Sequence, residues 1–211
     1  MRRLLILIMS GLCYTAASAQ HEGYTPMAGT ADFASQFAVA SGKITSIQAD
    51  FVQEKSLSML SEKIVSRGKF WYKKENQVRM EYLRPFQYLL ILSSTAVYIK
   101  DGDRENKIST KSSKLFRQVD QVIIDCVRGT ALLNPDFKVR LYESPKGFLV
   151  ELSPVEKNLS GLFRQINLLL DKKDYTATRI EMLEQSGDQT VITFANKQLN
   201  SQIPDALFAI H

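Results

Sequence analysis

The 211-residue sequence predicts a mainly β fold with some α-helix, in which an antiparallel sheet curls into a barrel or an incomplete barrel. Many short segments alternate apolar and polar residues, which is typical of half-buried strands. Short loops of turn-forming residues join these segments, and such loops indicate antiparallel neighbours. Because no segment resembles an interdomain linker, we expect one domain.

The N-terminus has the pattern of a secretory signal peptide. Two arginines precede a short apolar run at residues 4–9, and residues 17–19 (Ala-Ser-Ala) show the small-residue pattern of a cleavage site. The apolar run is much shorter than the roughly 20 residues that cross a bilayer. We therefore expect a signal peptide at residues 1–19 and a single exported domain at residues 20–211. An uncleaved membrane anchor is the alternative.

Two helices are predicted. After a flexible lead-in at residues 20–29, helical spacing places Phe33 and Phe37 on one face of residues 31–40. In the middle of the chain, apolar residues recur at helical spacing over residues 113–128. This second helix is amphipathic and lies between two groups of strands, so it could close the mouth of a half-barrel.

The strands form one group before the second helix and one group after it. Alternation and turn signals predict the first group at residues 47–52, 68–74, 78–82, 88–92 and 96–100. The second group is predicted at residues 137–142, 147–152, 164–170, 178–183 and 190–195. Short polar turns separate the strands, for example at Glu75-Asn76 and at residues 186–188.

Residues suited to catalysis are sparse. The two histidines, His21 and His211, lie near the ends of the exported chain, where we expect neither to sit in a rigid constellation. Ser-His-Asp and Cys-His arrangements therefore lack a base, and zinc lacks ligands. Cys126 lies on the apolar face of the second helix, which favours a core position. Basic residues are spread among acidic ones, which argues against a nucleic-acid partner.

One face of the strands carries large apolar side chains. A packed core is the default explanation, but aromatic residues and methionine also adapt to varied apolar ligands. Periodicity alone leaves a filled barrel and a hollow one both open. The face consists of Phe70, Tyr72, Met80, Tyr82, Leu90, Leu92, Phe148, Val150, Leu152, Ile166, Leu168, Ile180, Met182, Ile192 and Phe194.

Several short motifs together resemble the LolA family of outer-membrane lipoprotein carriers. Each motif alone is weak, but their order and spacing follow the family over most of the exported chain. The motifs are Ile47-x-Ala49-Asp50-Phe51-x-Gln53, Gly68-x-Phe70-Trp71-Tyr72-Lys73, Val78-Arg79-Met80-Glu81-Tyr82-x-x-Pro85, Phe148-x-Val150-x-Leu152-x-Pro154 and Asn200-x-x-Ile203-x-x-x-x-Phe208.

This resemblance implies an incomplete antiparallel β-barrel with helices as a lid over an apolar cavity. Such proteins carry triacylated lipoproteins across the periplasm, from an inner-membrane ABC transporter to a receptor or to the outer membrane itself. It further implies a periplasmic monomer that catalyses nothing and holds no cofactor, metal or nucleic acid. Acyl chains are then expected at Phe51, Phe70, Tyr72, Val78, Met80, Tyr82, Leu90, Leu92, Phe148, Val150, Leu152, Ile166, Leu168, Ile180, Met182 and Ile192.

The lid implied by the resemblance departs from the family at one point. The family usually has Arg-Pro just after the Trp-containing strand, and that arginine helps lid closure and ligand release. Here Lys74 and Glu75 follow the strand, and lysine lacks the planar fork of arginine. Met80 also stands where tryptophan is common. The expected lid residues are Phe33, Phe37, Lys74, Leu115, Val119, Ile123 and Val127.

Two other functions stay open on the same fold. The first is a carrier of a different lipid, which the departures at the lid allow. The second belongs to another class: a non-enzymatic envelope sensor or scaffold that uses the half-barrel to contact a partner protein.

Overall fold

The computed structural model describes residues 21–28, 30–74, 77–93, 96–109, 125 and 130–210. Within these residues, twelve strands form a single antiparallel sheet. The strands are β1 (Thr25–Pro26), β2 (Ser46–Ser56), β3 (Lys63–Lys73), β4 (Gln77–Arg84), β5 (Tyr88–Leu92), β6 (Ala96–Asp101), β7 (Arg104–Ser109), β8 (Phe137–Ser144), β9 (Gly147–Pro154), β10 (Phe163–Asp171), β11 (Ala177–Glu184) and β12 (Gln189–Leu199).

The sheet is a curled half-barrel that does not close on itself, as the sequence predicts. Its strand order is β1-β8-β9-β10-β11-β12-β2-β3-β4-β5-β6-β7. Strands β2 to β7 and strands β8 to β12 are thus two runs of consecutive neighbours. The pairing of β12 with β2, from Gln189 opposite Ser56 to Leu199 opposite Ile47, joins the two runs.

Short helices lie around this sheet. Helix α1 spans Thr30–Gly42 and α2 spans Lys157–Leu162, and two 3-10 turns span Thr130–Leu133 and Asp205–Phe208. The predicted helix at residues 31–40 is confirmed by α1, in which Phe33 and Phe37 are buried.

Alternation along the strands gives the sheet two different faces. Phe70 and Tyr72 of β3 point to the concave face and join the main apolar core. Trp71, between them, points to the convex face, where it packs with Ile203 and Phe208. Gly68 of β3 allows the core to pack closely, because a Cβ there would collide with the Glu81 carbonyl and lie 2.7 Å from the Phe51 ring.

The structure corrects the expectation of a flexible lead-in at residues 20–29. In this segment β1 pairs with β8, with Thr25 opposite Glu143. His21 is also fixed, contrary to expectation, since its Nε2 lies 3.0 Å from Glu151 Oε2 and its ring packs against Tyr142. Apolar alternation is absent from both β1 and β7, and neither strand was predicted.

Other predictions fall on residues outside the described ranges. These are the signal peptide at residues 1–19, the turn at residues 75–76, His211, and the helix at residues 113–128 except for Asp125. Asp125 is helical and buried, and its Oδ2 accepts a hydrogen bond from Asn134 Nδ2 at 3.0 Å.

Candidate functional site

The concave face is the candidate site, because it brings all sixteen residues predicted to contact acyl chains into one apolar cluster. Thirteen of them are buried, and Tyr82, Leu90 and Met182 are partly buried against the others. The residues come from strands of both runs of the sheet, and strand alternation sends each of them to the same side. The cluster therefore extends across the sheet as a continuous apolar surface.

Aromatic rings fill much of this surface. The Tyr82 ring meets Phe51 edge-on, with centroids 4.9 Å apart, and Phe70 meets Phe194 at 5.2 Å. The Tyr82 hydroxyl donates a hydrogen bond to Gln53 Oε1 at 2.9 Å. Burial raises the pKa of Tyr82, so its hydroxyl stays neutral and can lie among apolar groups.

Helix α1 lies over one end of the concave face and contacts it through two rings. Phe33 packs against Phe148 with centroids 4.7 Å apart, and Phe37 lies 6.0 Å from Tyr175. Tyr175 has a left-handed backbone, with φ of 59°, and stacks on Phe148 at 5.3 Å. Its hydroxyl donates to Gln36 Oε1 at 3.0 Å. These aromatic contacts hold α1 as a cover over the sheet.

One small apolar space lies on the covered face among the described residues. Its volume is about 10 Å³, and it borders Ile47, Phe70, Ala177 and Phe194. That volume is about the room of one water molecule and far below that of an acyl chain. This space would hold a long apolar ligand only if the side chains or the helix beside it moved.

Lys197 is a basic side chain of the concave face that the sequence pattern does not reveal. It borders the small apolar space, and its Nζ donates a hydrogen bond to Thr176 Oγ1 and lies 4.0 Å from Asp174 Oδ1. Burial lowers the pKa of Lys197, while the charge of Asp174 opposes this shift. The bulge between Ala195 and Gln198 breaks the alternation here, so strand pattern alone does not place this lysine.

The convex face has a cover of a different kind, the C-terminal segment (residues 200–210). Arg79 lies over the Trp71 ring at 5.7 Å and donates a hydrogen bond from Nη1 to the Leu207 carbonyl at 3.0 Å. Lys73 pairs with Asp205 and donates to the Ile203 carbonyl at 3.2 Å. This segment is therefore tied to the sheet by polar contacts as well as by apolar packing.

Polar and titratable groups outside the apolar cluster can be compared with the requirements of a metal site, and the helices with those of a membrane span. No group of three or more His, Cys, Asp or Glu side chains among them is arranged to hold a metal ion. Glu151 is buried on the convex side, where it contacts His21, Arg140 and Gln165. None of the helices in the described ranges combines the length and apolarity needed to cross a membrane.

Comparison with known proteins identifies the family. The sequence profile of the outer membrane lipoprotein carrier protein LolA matches residues 42–211, which is most of the chain. The chain belongs to the LolA family. No curated protein sequence matches it. The fold and the concave face described above are therefore those of a LolA-family protein of distant sequence.

Solved structures similar to this LolA-family protein share little sequence with it. An uncharacterized conserved protein from Thermus thermophilus matches with a TM-score of 0.52 and 12% identity, over 85% of this chain and 94% of that one. A LolA superfamily protein from Nitrosomonas europaea gives 0.48 and 11%, over 84% and 97%. MucB in the Pseudomonas aeruginosa MucA/MucB complex gives 0.40 and 15%, over 85% and 60%. At these identities the likeness concerns the fold alone.

The expected lid residues of this LolA-family protein fall into three groups. Phe33 and Phe37 lie over the concave face, as described above. Lys74 is exposed just after β3, where its backbone N–H donates to the Thr45 carbonyl at 2.8 Å. It borders a surface crevice of about 1020 Å³ that the C-terminal segment helps to line. Four residues lie outside the described ranges, namely Leu115, Val119, Ile123 and Val127.

Proposed function

We propose that this LolA-family protein is a periplasmic carrier of lipoproteins. Its concave face takes up the acyl chains of triacylated lipoproteins released by an inner-membrane ABC transporter. The protein then delivers them to a receptor or directly to the outer membrane, and it catalyses no reaction. The observation that supports this most is the continuous apolar face beneath α1, a helix whose Phe33 and Phe37 rings pack at that face.

The energies involved make opening by a ligand feasible. Exposing a buried phenylalanine side chain costs about 1.5–3 kcal/mol, so lifting Phe33 and Phe37 costs about 3–6 kcal/mol. Each buried methylene of an acyl chain contributes about 0.8 kcal/mol. Roughly eight methylenes therefore offset the opening, and a single long acyl chain carries more than that. The cost of lifting α1 also keeps the net affinity moderate, which a carrier needs in order to release its cargo.

Lys74 has a proposed role at the rim rather than inside the cluster. It stands where the family usually has an arginine, and its side chain is exposed. A lysine there can attract a carbonyl or phosphate oxygen of the cargo as a point charge, but it cannot form a bidentate contact. Because the arginine of the family helps ligand release, replacing Lys74 with leucine should slow release and delivery of the lipoprotein. Unchanged delivery would remove Lys74 from the lid.

The test uses purified residues 20–211 added to spheroplasts of the source bacterium. We expect newly made triacylated lipoproteins to appear in the soluble fraction, bound to the protein. The substitution Leu90→Glu places a charge on the partly buried part of the concave cluster and should abolish this release. The matched control is Val39→Glu, because Val39 is 60% exposed on α1 and faces away from the cluster. Circular dichroism checks that both variants fold.

The other outcomes separate the alternatives. If no lipoprotein is released but lipid can be extracted from the purified protein, the cargo is a different lipid. If neither lipoprotein nor lipid binds, the concave face is a permanent core. The function is then that of a sensor or scaffold for a partner protein.

A further inference from the structure

The exposed apolar side chains are concentrated at one end of the sheet. Ten large apolar side chains are exposed among the described residues. Leu133, Val155 and Leu162 lie in connections at the end where β2 meets β3, and Val39 lies on α1. The other six lie on the β2–β3 hairpin and at the β4–β5 turn, and we call them the apolar tip: Met59, Leu60, Ile64, Val65, Leu83 and Phe86.

The apolar tip projects because the β2–β3 hairpin is longer than its neighbour. Arg67 of β3 pairs with Arg84, the last residue of β4. The hairpin continues beyond this pair to Lys63, four residues farther, which corresponds to about 13 Å. Ile64 and Val65 lie in this extension and have no β4 residue beside them.

The loop of the hairpin is held in place with its apolar side chains outward. The Ser58 N–H donates to Asp188 Oδ1 at 2.8 Å, and the Leu60 N–H donates to the Leu57 carbonyl at 2.9 Å. The hydrogen bond from Ser58 lowers the pKa of Asp188, so this anchor is ionised at neutral pH. Met59 is nevertheless 94% exposed. Its exposure is thus a fixed property of a hydrogen-bonded loop.

Two arginines flank the apolar tip. Arg67 and Arg84 are opposite each other in the register, and both are exposed. Like charges directly opposite each other destabilise a sheet. No acidic partner of either arginine is found among the described residues, whereas the nearby Lys63 lies 3.4 Å from Glu54. An anionic surface would relieve this repulsion.

We propose that the apolar tip docks on the surface of a lipid bilayer that contains anionic lipids. Apolar side chains that enter the interface and basic side chains that attract anionic headgroups are together the features of peripheral membrane binding. The six side chains stand on three short segments, and a fluid hydrocarbon layer can surround each one separately. The proposal rests on the proposed function, because docking would bring the concave face to the membrane that gives or receives the cargo.

Vesicle flotation tests the docking. Purified residues 20–211 should float with vesicles of phosphatidylcholine and phosphatidylglycerol, and less with phosphatidylcholine alone. The triple variant Met59→Ser/Leu60→Ser/Phe86→Ser should reduce the bound fraction at least about tenfold. Val39→Ser, at an equally apolar exposed site on α1, should leave it unchanged. Arg67→Gln/Arg84→Gln should abolish the preference for phosphatidylglycerol, while the control Lys146→Gln/Lys173→Gln, at the opposite end of the sheet, should keep it.

A polarity-sensitive dye locates the contact. Attached through Met59→Cys in a Cys126→Ser background, its emission should shift to the blue on addition of vesicles, and the same dye at Val39→Cys should not respond. Vesicle binding by the triple variant equal to that of the unmodified protein overturns the proposal, as does a dye at position 59 that stays in water. If the triple variant blocks lipoprotein release although the unmodified protein binds no vesicles, the tip contacts a protein instead.

Binding of a fluorescent fatty acid separates this proposal from the proposed function. The triple variant should bind the fatty acid as the unmodified protein does, because the apolar tip lies outside the concave cluster. Failure of vesicle binding with intact fatty-acid binding and lipoprotein release refutes the docking alone. Failure of fatty-acid binding and lipoprotein release with intact vesicle docking refutes the carrier function alone.

Discussion

Helix α1 and the C-terminal segment both cover the sheet, but they are attached in different ways. Helix α1 lies on the concave face through Phe33 and Phe37, and its one described side-chain hydrogen bond to the rest of the protein joins Gln36 to Tyr175. The C-terminal segment lies on the convex face and receives hydrogen bonds from Lys73 and Arg79.

The difference has a physical consequence for which cover can move. When α1 lifts, an apolar ligand can take the place of its two rings against the sheet, so displacement by an acyl chain costs little in total. If the C-terminal segment lifted, its carbonyl groups would lose their hydrogen bonds to Arg79 and Lys73. An apolar ligand could not replace these hydrogen bonds. The concave cover is therefore suited to open, and the convex cover is suited to stay closed.

The largest expected effects on stability come from removing one buried ring from each cover. Phe37→Ala and Phe208→Ala each remove a buried ring and should lower the free energy of unfolding by about 3–5 kcal/mol in urea titrations. Only Phe37→Ala should also speed the uptake of a fluorescent fatty acid in stopped-flow measurements. Equal uptake rates in the two variants would show that α1 is not the cover that opens.

Gly68→Ala tests how tightly the concave face is filled. The added methyl group meets the Glu81 carbonyl and the Phe51 ring, so the free energy of unfolding should fall by about 3 kcal/mol. Gly161→Ala is the matched control, because open space surrounds that position in α2, and it should change stability by at most about 1 kcal/mol. A small effect at Gly68 would mean that Phe51 has room to move and that the face is loosely packed.

Arg79→Lys weakens the polar attachment of the convex cover. Lysine keeps the charge but cannot both stack on Trp71 and bond the Leu207 carbonyl and Glu81 as arginine does. We expect a loss of about 1–2 kcal/mol in thermal or urea unfolding. Hydrogen exchange should increase in residues 200–210 and remain unchanged in α1. An equal increase of hydrogen exchange in both covers would contradict the view that they open independently.

Lys197→Met should have the smallest effect on stability. Unlike the substitutions above, it should raise the free energy of unfolding. Burial lowers the pKa of Lys197 in the folded protein, so its charged form is destabilising below the folded pKa. Methionine should therefore stabilise the protein slightly at neutral pH. As the pH rises through the lowered pKa toward 10.5, the lysine loses its charge and this advantage should shrink. Urea titrations at neutral and alkaline pH measure the difference in stability between the variant and the unmodified protein. A difference that stays constant with pH would contradict the lowered pKa of Lys197.

Much of this architecture could be predicted from the sequence because alternation is strong where one face of a strand is buried. Phe70, Trp71 and Tyr72 alternate between the concave and convex clusters, and the predicted apolar set lies in one core. Family motifs supplied the incomplete barrel, which alternation alone could not distinguish from a closed one. Strand β1, by contrast, consists of Thr25 and Pro26, both exposed, so it has no apolar pattern to detect.

The missed parts of the site depend on backbone features that composition does not show. Lys197 follows Asn196, whose φ of 53° belongs to the bulge that separates β12 into two registers. Tyr175 completes the aromatic contacts of α1 from a turn, where it has no strand or helix periodicity. In a sequence, an asparagine and an aromatic residue in a polar turn are both weak signals of a binding site. They become informative only when the positions of the neighbouring strands are known.

The pairing of β12 with β2 also determines when the protein can finish folding. The hydrogen bond between Thr45 and Asn200, at the end of this pair, joins residues 155 positions apart. Each run of consecutive strands contains mainly local pairings, which form quickly, whereas closing so long a loop is slow. During synthesis, β2 must therefore wait for β12, with one edge unpaired and open to aggregation. The continuous concave face exists only after that final strand has arrived.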